Sequence, residues 1–265
     1  KVGHVRLNRP DALNTMIPQF WSELPQVIAE LSDRGDVRAI VVSSTGKHFS
    51  AGMDLSVFTS SGLSLDGEPG RRNATFMLLV KRLQESFTAL ERARVPVLAA
   101  VQGGCIGGAV DMVCAADMRY ASADAYFVIQ ETNIGMTADV GTLQRLPKLI
   151  PDGVAREMVY TGRRMSAQRA LEVGLVNEVF DDHEALVAGA LEIAAEIATK
   201  SPLTLWGAKE ALVYARDHSV PDSLHQIALW QTGAFQPADM MESFAAKGEK
   251  RPPIYEDLPP APSGI

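Results

Sequence analysis

The 265-residue sequence is poor in the residues that staple chains or bind metals: it has two cysteines, Cys105 and Cys114, and five histidines. Both cysteines fall in one Gly/Ala/Val-rich stretch, which argues against a disulfide framework and reads as buried, inert thiols. The histidines, His4, His48, His183, His218 and His225, show neither an HExxH motif nor zinc-type Cys/His spacing, so no metal site is expected. No uninterrupted apolar run is long enough to span a bilayer, and no basic, acid-poor leader is visible, which together make the soluble cytoplasm the expected compartment. Positive charge is also short. A net charge of -7 argues against nucleic acid as the main partner, although a local basic spot could still hold a phosphorylated small molecule.

What is present is a globular composition, 46% hydrophobic and 22% charged, in a chain long enough to bury a sizeable core. The runs GHVRLN, VRAIVVSS, VPVLAAVQG, DMRYAS and AYFVI read as strands by their β-branched content and bounding turns. Between them, PQFWSELPQVIAELSDR and ATFMLLVKRLQESFTALERA carry apolar residues at helical spacing. This alternation predicts an α/β fold with parallel strands joined by helical crossovers. From Ser166 onward the pattern turns helical, with SAQRALEVG showing a serine cap and a terminal glycine. Thr59–Arg72 reads as a Gly/Ser/Pro-rich loop shaping a ligand pocket, and the Pro-rich tail after Lys250 as irregular.

Three neighbourhoods carry chemistry. In GKHFSAGMDL a Ser-Ala-Gly run lets the backbone approach a ligand and leaves the Met53 N–H free to donate. That run comes near a serine-hydrolase elbow, but His48 stands where the first glycine must be, which disfavours Ser50 as a nucleophile. In VQGGCIGGAVD a glycine cluster opens a helix near Gly107, so the Gly108 N–H can hold a developing oxyanion, and Asp111 lies on the first turn. The spacing is not that of a dinucleotide fingerprint. In IQETNIGMTADVG, Glu131 and Asp139 stand eight positions apart with no Lys or Arg between them. Three acids converging on two free N–H donors would make a proton-transfer site beside a carbonyl.

FSAGMD, VQGGCIGGAVD, CAADMRYAS, TLQRLPKLI and TGRRMSAQRALEVGLVNEVF, in this order, resemble the enoyl-CoA hydratase/isomerase (crotonase) superfamily over essentially the whole chain. The resemblance implies a crotonase-like spiral of ββα units over residues 1–200 and a helical C-terminal region over 201–265 that builds homotrimers or hexamers. It implies an acyl-CoA thioester as substrate, no separate cofactor, and an enolate held by the N–H groups of Met53 and Gly108. Asp111 and Glu131 fall where hydratases carry two glutamates, and Ala51, Asp54, Phe244 and Lys247 fall on segments that hold CoA. Asp111 departs from that pattern, its carboxylate reaching about 1.5 Å less far than a glutamate's. Asp139 departs too, replacing a glycine. The set Asp111, Glu131 and Asp139 is similar to the Δ3,5-Δ2,4-dienoyl-CoA isomerase branch, which implies an isomerase of fatty-acid β-oxidation. Enoyl-CoA hydration is the alternative, and a noncatalytic acyl-CoA-binding protein the alternative of another class.

Overall fold

In the computed structural model, which describes residues 1–54, 56–59, 68–235 and 237–262, the main sheet is built from β1 (Val2–Leu7), β2 (Ala39–Ser44), β3 (Val97–Val101), β5 (Met118–Ser122) and β8 (Glu178–Phe180). They pair in the order β1-β2-β3-β5-β8, and every pairing is parallel. A second sheet joins β4 (Gly104–Ile106) to β6 (Tyr126–Val128) and β7 (Met165–Ser166). The crossovers are α1 (Phe20–Asp33), α2 (Ser56–Thr59), α3 (Pro69–Arg92), α4 (Gly108–Ala115), α5 (Thr142–Arg145), α6 (Asp152–Thr161) and α7 (Ala167–Glu172). The helices α8 (His183–Ile197), α9 (Pro202–Ala215), α10 (Val220–Ala234) and α11 (Pro237–Glu249) follow.

β2 and β3 are buried along their whole length, which explains why they read as continuous apolar runs rather than alternating ones. Side chains still alternate between faces. Ile40, Val42, Val97 and Ala99 enter the main core with α1, α3 and α4, while Ala39, Val41, Leu98 and Ala100 pack against Leu186, Ala190 and Ala194 of α8. The two alanines, four residues apart on one face of α8, let that helix lie close to the sheet.

α1 contains Pro25, which cannot donate to the Trp21 carbonyl one turn earlier. The buried Ser86 hydroxyl of α3 fills that vacancy, donating to the Trp21 carbonyl at 2.8 Å and tying the two helices together. Residues 60–67 of the expected pocket-shaping loop lie outside the described residues. Its last residues do not form a loop: Pro69 begins α3, because the Glu68 carboxylate caps the amides of Gly70 and Arg71 at 2.8 and 2.9 Å.

Two buried cations fasten the C-terminal elements. Lys209 of α9 donates to the carbonyls of Leu90 and Val95 and pairs with Asp117 at 2.8 Å. Arg38 reaches the Tyr255 carbonyl and Asp257 in the irregular tail. Both cysteines are free and buried, and burial pushes the Cys114 thiol up to about 12, so neither is a nucleophile at neutral pH.

Candidate active site

The site grows from the junction of β4 and α4. Gly107 stands at φ +56, in the left-handed region, and turns the strand into the helix while its N–H donates to the Val128 carbonyl at 2.8 Å. The next amide, Gly108, opens α4, and a first helical amide has no acceptor within its own helix. Alongside runs the Ser50–Asp54 segment, stitched to β4 by Ser50 N–H to Gly104 carbonyl and Ile106 N–H to Ser50 carbonyl, both 3.1 Å. These bonds bring Met53 to the same place: a methyl carbon built on Gly108 would lie 3.9 Å from the Met53 nitrogen.

The carboxylates gather around this point. Asp111, three residues into α4, is fully buried; one oxygen accepts the Thr142 N–H at 2.5 Å and the other has no hydrogen-bond partner. Burial pushes it up to about 6 against the opposing Thr142 hydrogen bond, with Asp139 adding like charge. Glu131 begins a 3-10 turn, Glu131–Ile134, and its carboxylate lies beside Gly107, where a methyl group would come within 3.1 Å of Oε1. Burial, then Asp111 and Asp139, push Glu131 up to about 7. Asp139 is half-buried and raised by burial, and its carbonyl accepts from Gln84 of α3 at 2.7 Å. The nearby Arg145 guanidinium is committed elsewhere, gripping Glu91 at 3.0 and 2.8 Å. Three acids thus lie close enough for their charges to interact, each with a raised pKa. Such a cluster can hold protons near neutral pH and pass them at separated points.

Ser50 is fully buried, donating to the Asn14 carbonyl and accepting the Gly52 N–H, so it is a loop staple and no nucleophile. His48 accepts the Gly104 N–H on Nδ1, likewise structural. Of the expected CoA contacts, Ala51 is half-buried and its N–H donates to the Leu13 carbonyl. Hydrogen bonds from Ser56 and Thr15 hold Asp54 down at about 2, so it is anionic and anchors the start of α2. Phe244 is 62% exposed on α11, and Lys247 is exposed three residues further along the same helix.

Sequence reasoning missed Thr142, Gln84 and Arg145. Thr142 could have been found, since it opens a helix after Gly141 and so offers a free amide to an acid. Gln84 and the Glu91–Arg145 pair join distant segments, and nothing local marks them.

The enoyl-CoA hydratase/isomerase family model matches residues 1–258. The chain belongs to the enoyl-CoA hydratase/isomerase family. It is 44% identical over 252 residues to the mouse mitochondrial Δ3,5-Δ2,4-dienoyl-CoA isomerase, covering 94% of this chain and 77% of that protein. The peroxisomal Arabidopsis thaliana Δ3,5-Δ2,4-dienoyl-CoA isomerase is 38% identical, with 97% and 93% covered. Among solved structures, an enoyl-CoA hydratase from Bacillus anthracis superposes with a TM-score of 0.85 at 30% identity, covering 96% of this chain and 95% of that one. The crotonase-type spiral expected from the motifs is therefore the fold of this family member.

One expectation is corrected. The relatives are named mitochondrial and peroxisomal, which overturns the cytoplasmic assignment. The physical reason is that composition and charge of a folded domain do not encode its compartment, which receptors read from short address segments.

Proposed function

We propose that this enoyl-CoA hydratase/isomerase family member isomerises 3,5-dienoyl-CoA to 2,4-dienoyl-CoA, a reaction of unsaturated fatty-acid β-oxidation. The observation that carries the reading is Asp139 near enough to Asp111 and Glu131 for its charge to act on both: a third acid for a second, distant carbon. The Glu131 carboxylate takes the C2 proton, and the thioester oxygen takes up the resulting charge between the Met53 and Gly108 amides. The C3=C4 and C5=C6 bonds move to C2=C3 and C4=C5 as protonated Asp139 delivers a proton to C6. One proton leaves and one arrives, so no redox partner is needed. Asp111, tied to Thr142, supplies like charge that keeps a proton in the cluster. Hydratases need a water held between two glutamates, and the relatives bearing the isomerase name reach 44% identity against 30% for the Bacillus anthracis hydratase structure.

Phe244 and Lys247 offer a ring and a cation three residues apart on α11, suited to the adenine and phosphates of CoA, with Ala51 and Asp54 shaping the loop at the other end. Exposed Leu212, Leu224, Leu229 and Met241 on α9–α11, with Phe235 at the end of α10, support 201–265 as the region through which copies assemble into a trimer or hexamer.

In Asp139→Asn, dienoyl isomerisation is expected to fall by about 10²-fold or more, the usual worth of a general acid, with acyl-CoA binding and deuterium exchange at C2 retained. The test is growth of the conjugated 2,4-dienoyl absorbance together with C2 and C6 labelling in deuterated water. Full activity with normal C6 labelling would make Asp139 a loop acid and bring hydration forward. Because Glu131 must be ionised while Asp139 is protonated, kcat/KM should be bell-shaped in pH, lost on the acid side where both acids are protonated and on the alkaline side where both are ionised. A profile flat from acid pH upward would exclude Glu131 as the base.

A further inference from the structure

One face of α3 carries Gln84, Thr88 and Glu91, at spacings that stack them along the helix. All three grip the segment from Asp139 to Arg145. Gln84 donates to the Asp139 carbonyl at 2.7 Å, and the Arg145 guanidinium donates to Thr88 at 3.3 Å and to both Glu91 oxygens at 3.0 and 2.8 Å. Glu91 also accepts from Arg216, the residue that caps the end of α9, at 2.5 Å. The guanidinium in turn shapes the backbone it lies on: Gly141 stands at φ +138, and a methyl group there would sit 1.8 Å from an Arg145 nitrogen. Only glycine fits. The next residue, Thr142, donates the amide that holds Asp111.

We propose that Glu91 is a positioning residue for the proton-transfer acids, acting through Arg145 on the Asp139–Thr142 segment and balancing the charge of Arg145 and Arg216 behind it. The proposal rests on the isomerase reading for its effect on turnover. The Glu91 side chain is 9% exposed, so it is a nearly buried anion between two cations, and losing one partner leaves the others unbalanced. Burial pushes Glu91 upward, but the hydrogen bonds from Arg145 and Arg216 outweigh it and hold it below its ordinary range. Of the other charged groups around it, Asp217 pairs with Lys148 and also reaches Arg216 at 4.0 Å, Arg92 pairs with Glu85 on the same helix, and the Cys114 thiol of α4 is neutral. Asp111 lies close enough to feel Arg145.

The charge signs give opposite expectations. Glu91→Gln leaves Arg145 without its carboxylate and Arg216 with Asp217 alone, which favours ionised Asp111 and moves its titration to lower pH. Arg216→Gln leaves Arg145 fully neutralised by Glu91 and moves it to higher pH. Each shift should be about one pH unit, the scale of a unit charge several ångströms away in a protein interior. Glu91→Gln should also lower kcat about tenfold to a hundredfold through misplacement of the acids, with binding of a saturated acyl-CoA close to wild type and Glu91→Asp recovering most of the rate.

The experiment is a carboxyl-stretch infrared titration of wild type, Glu91→Gln, Glu91→Asp and Arg216→Gln, beside their kcat and KM on 3,5-dienoyl-CoA. Opposite shifts in the two charge variants support the proposal. Unchanged titrations, or shifts of one sign, overturn it and leave Glu91 a tie between helices. Should Glu91→Gln not fold, the direction of the Arg216→Gln shift decides. The titration needs no turnover, so a wild-type protein inactive on dienoyl-CoA would remove the functional reading while leaving Glu91 to be judged by the infrared bands alone.

Discussion

Glu131→Gln should abolish dienoyl turnover, with a loss on the order of 10³-fold or more, because the amide keeps the shape of the side chain and removes its only basic form. No neighbour can take over. Asp111 is fully buried with one oxygen on the Thr142 amide, and Asp139 is assigned to the far carbon. The glutamine should fit beside Gly107, so a saturated acyl-CoA should still bind and the fold should persist. Deuterium exchange at C2 should vanish along with turnover, which distinguishes this variant from Asp139→Asn. If Glu131→Gln keeps C2 exchange at the wild-type rate, another group is the base and the assignment of the acids collapses.

The second large effect is expected at Gly108. Gly108→Val should lower turnover of every thioester substrate by about 10²–10³-fold, because its side chain keeps the thioester oxygen from the Gly108 amide, at a cost comparable to losing one donor to a developing oxyanion. The first carbon of the new side chain meets only ordinary contacts, with the Met16 sulfur at 3.4 Å and the Met53 nitrogen and Trp21 ring at 3.9 Å. The helix start therefore tolerates it. What the branched methyls occupy is the space between the two amides, so the loss should appear in kcat with little change in thermal stability. Turnover within a few-fold of wild type would mean that the thioester oxygen sits elsewhere.

The sequence was most legible where the chemistry is local. β2 and β3 declare themselves because strands buried on both faces need apolar residues at every position. The Ser166 cap of α7 does so because a serine followed by a helical run has one good use for its hydroxyl, and it accepts the Arg169 N–H at 3.2 Å. Gly107, Gly108 and Asp111 could be read together, since a glycine cluster before a helix has few other purposes. β4 and β7 were not legible, because two or three residues are too few for any periodicity. Nor was the true start of α3, where Glu68 and Pro69 turn a Gly-rich stretch helical. The hold of Gln84 on Asp139 and of Glu91 on Arg145 joins residues more than fifty positions apart. Only folding brings them into contact.

The buried acids bear on folding itself. Released from the fold, Asp111 and Glu131 would titrate near their ordinary values of about 4. In the folded chain they titrate at about 6 and about 7. Between those limits the native state holds protons that the unfolded chain has given up, so folding in this window is a proton-uptake reaction. The sign follows: with fewer protons on the unfolded side, stability from this pair is complete at acid pH and declines as pH rises through the window. At the pH where Glu131 becomes a competent base, the fold carries its ionised acids at a net cost to its own stability.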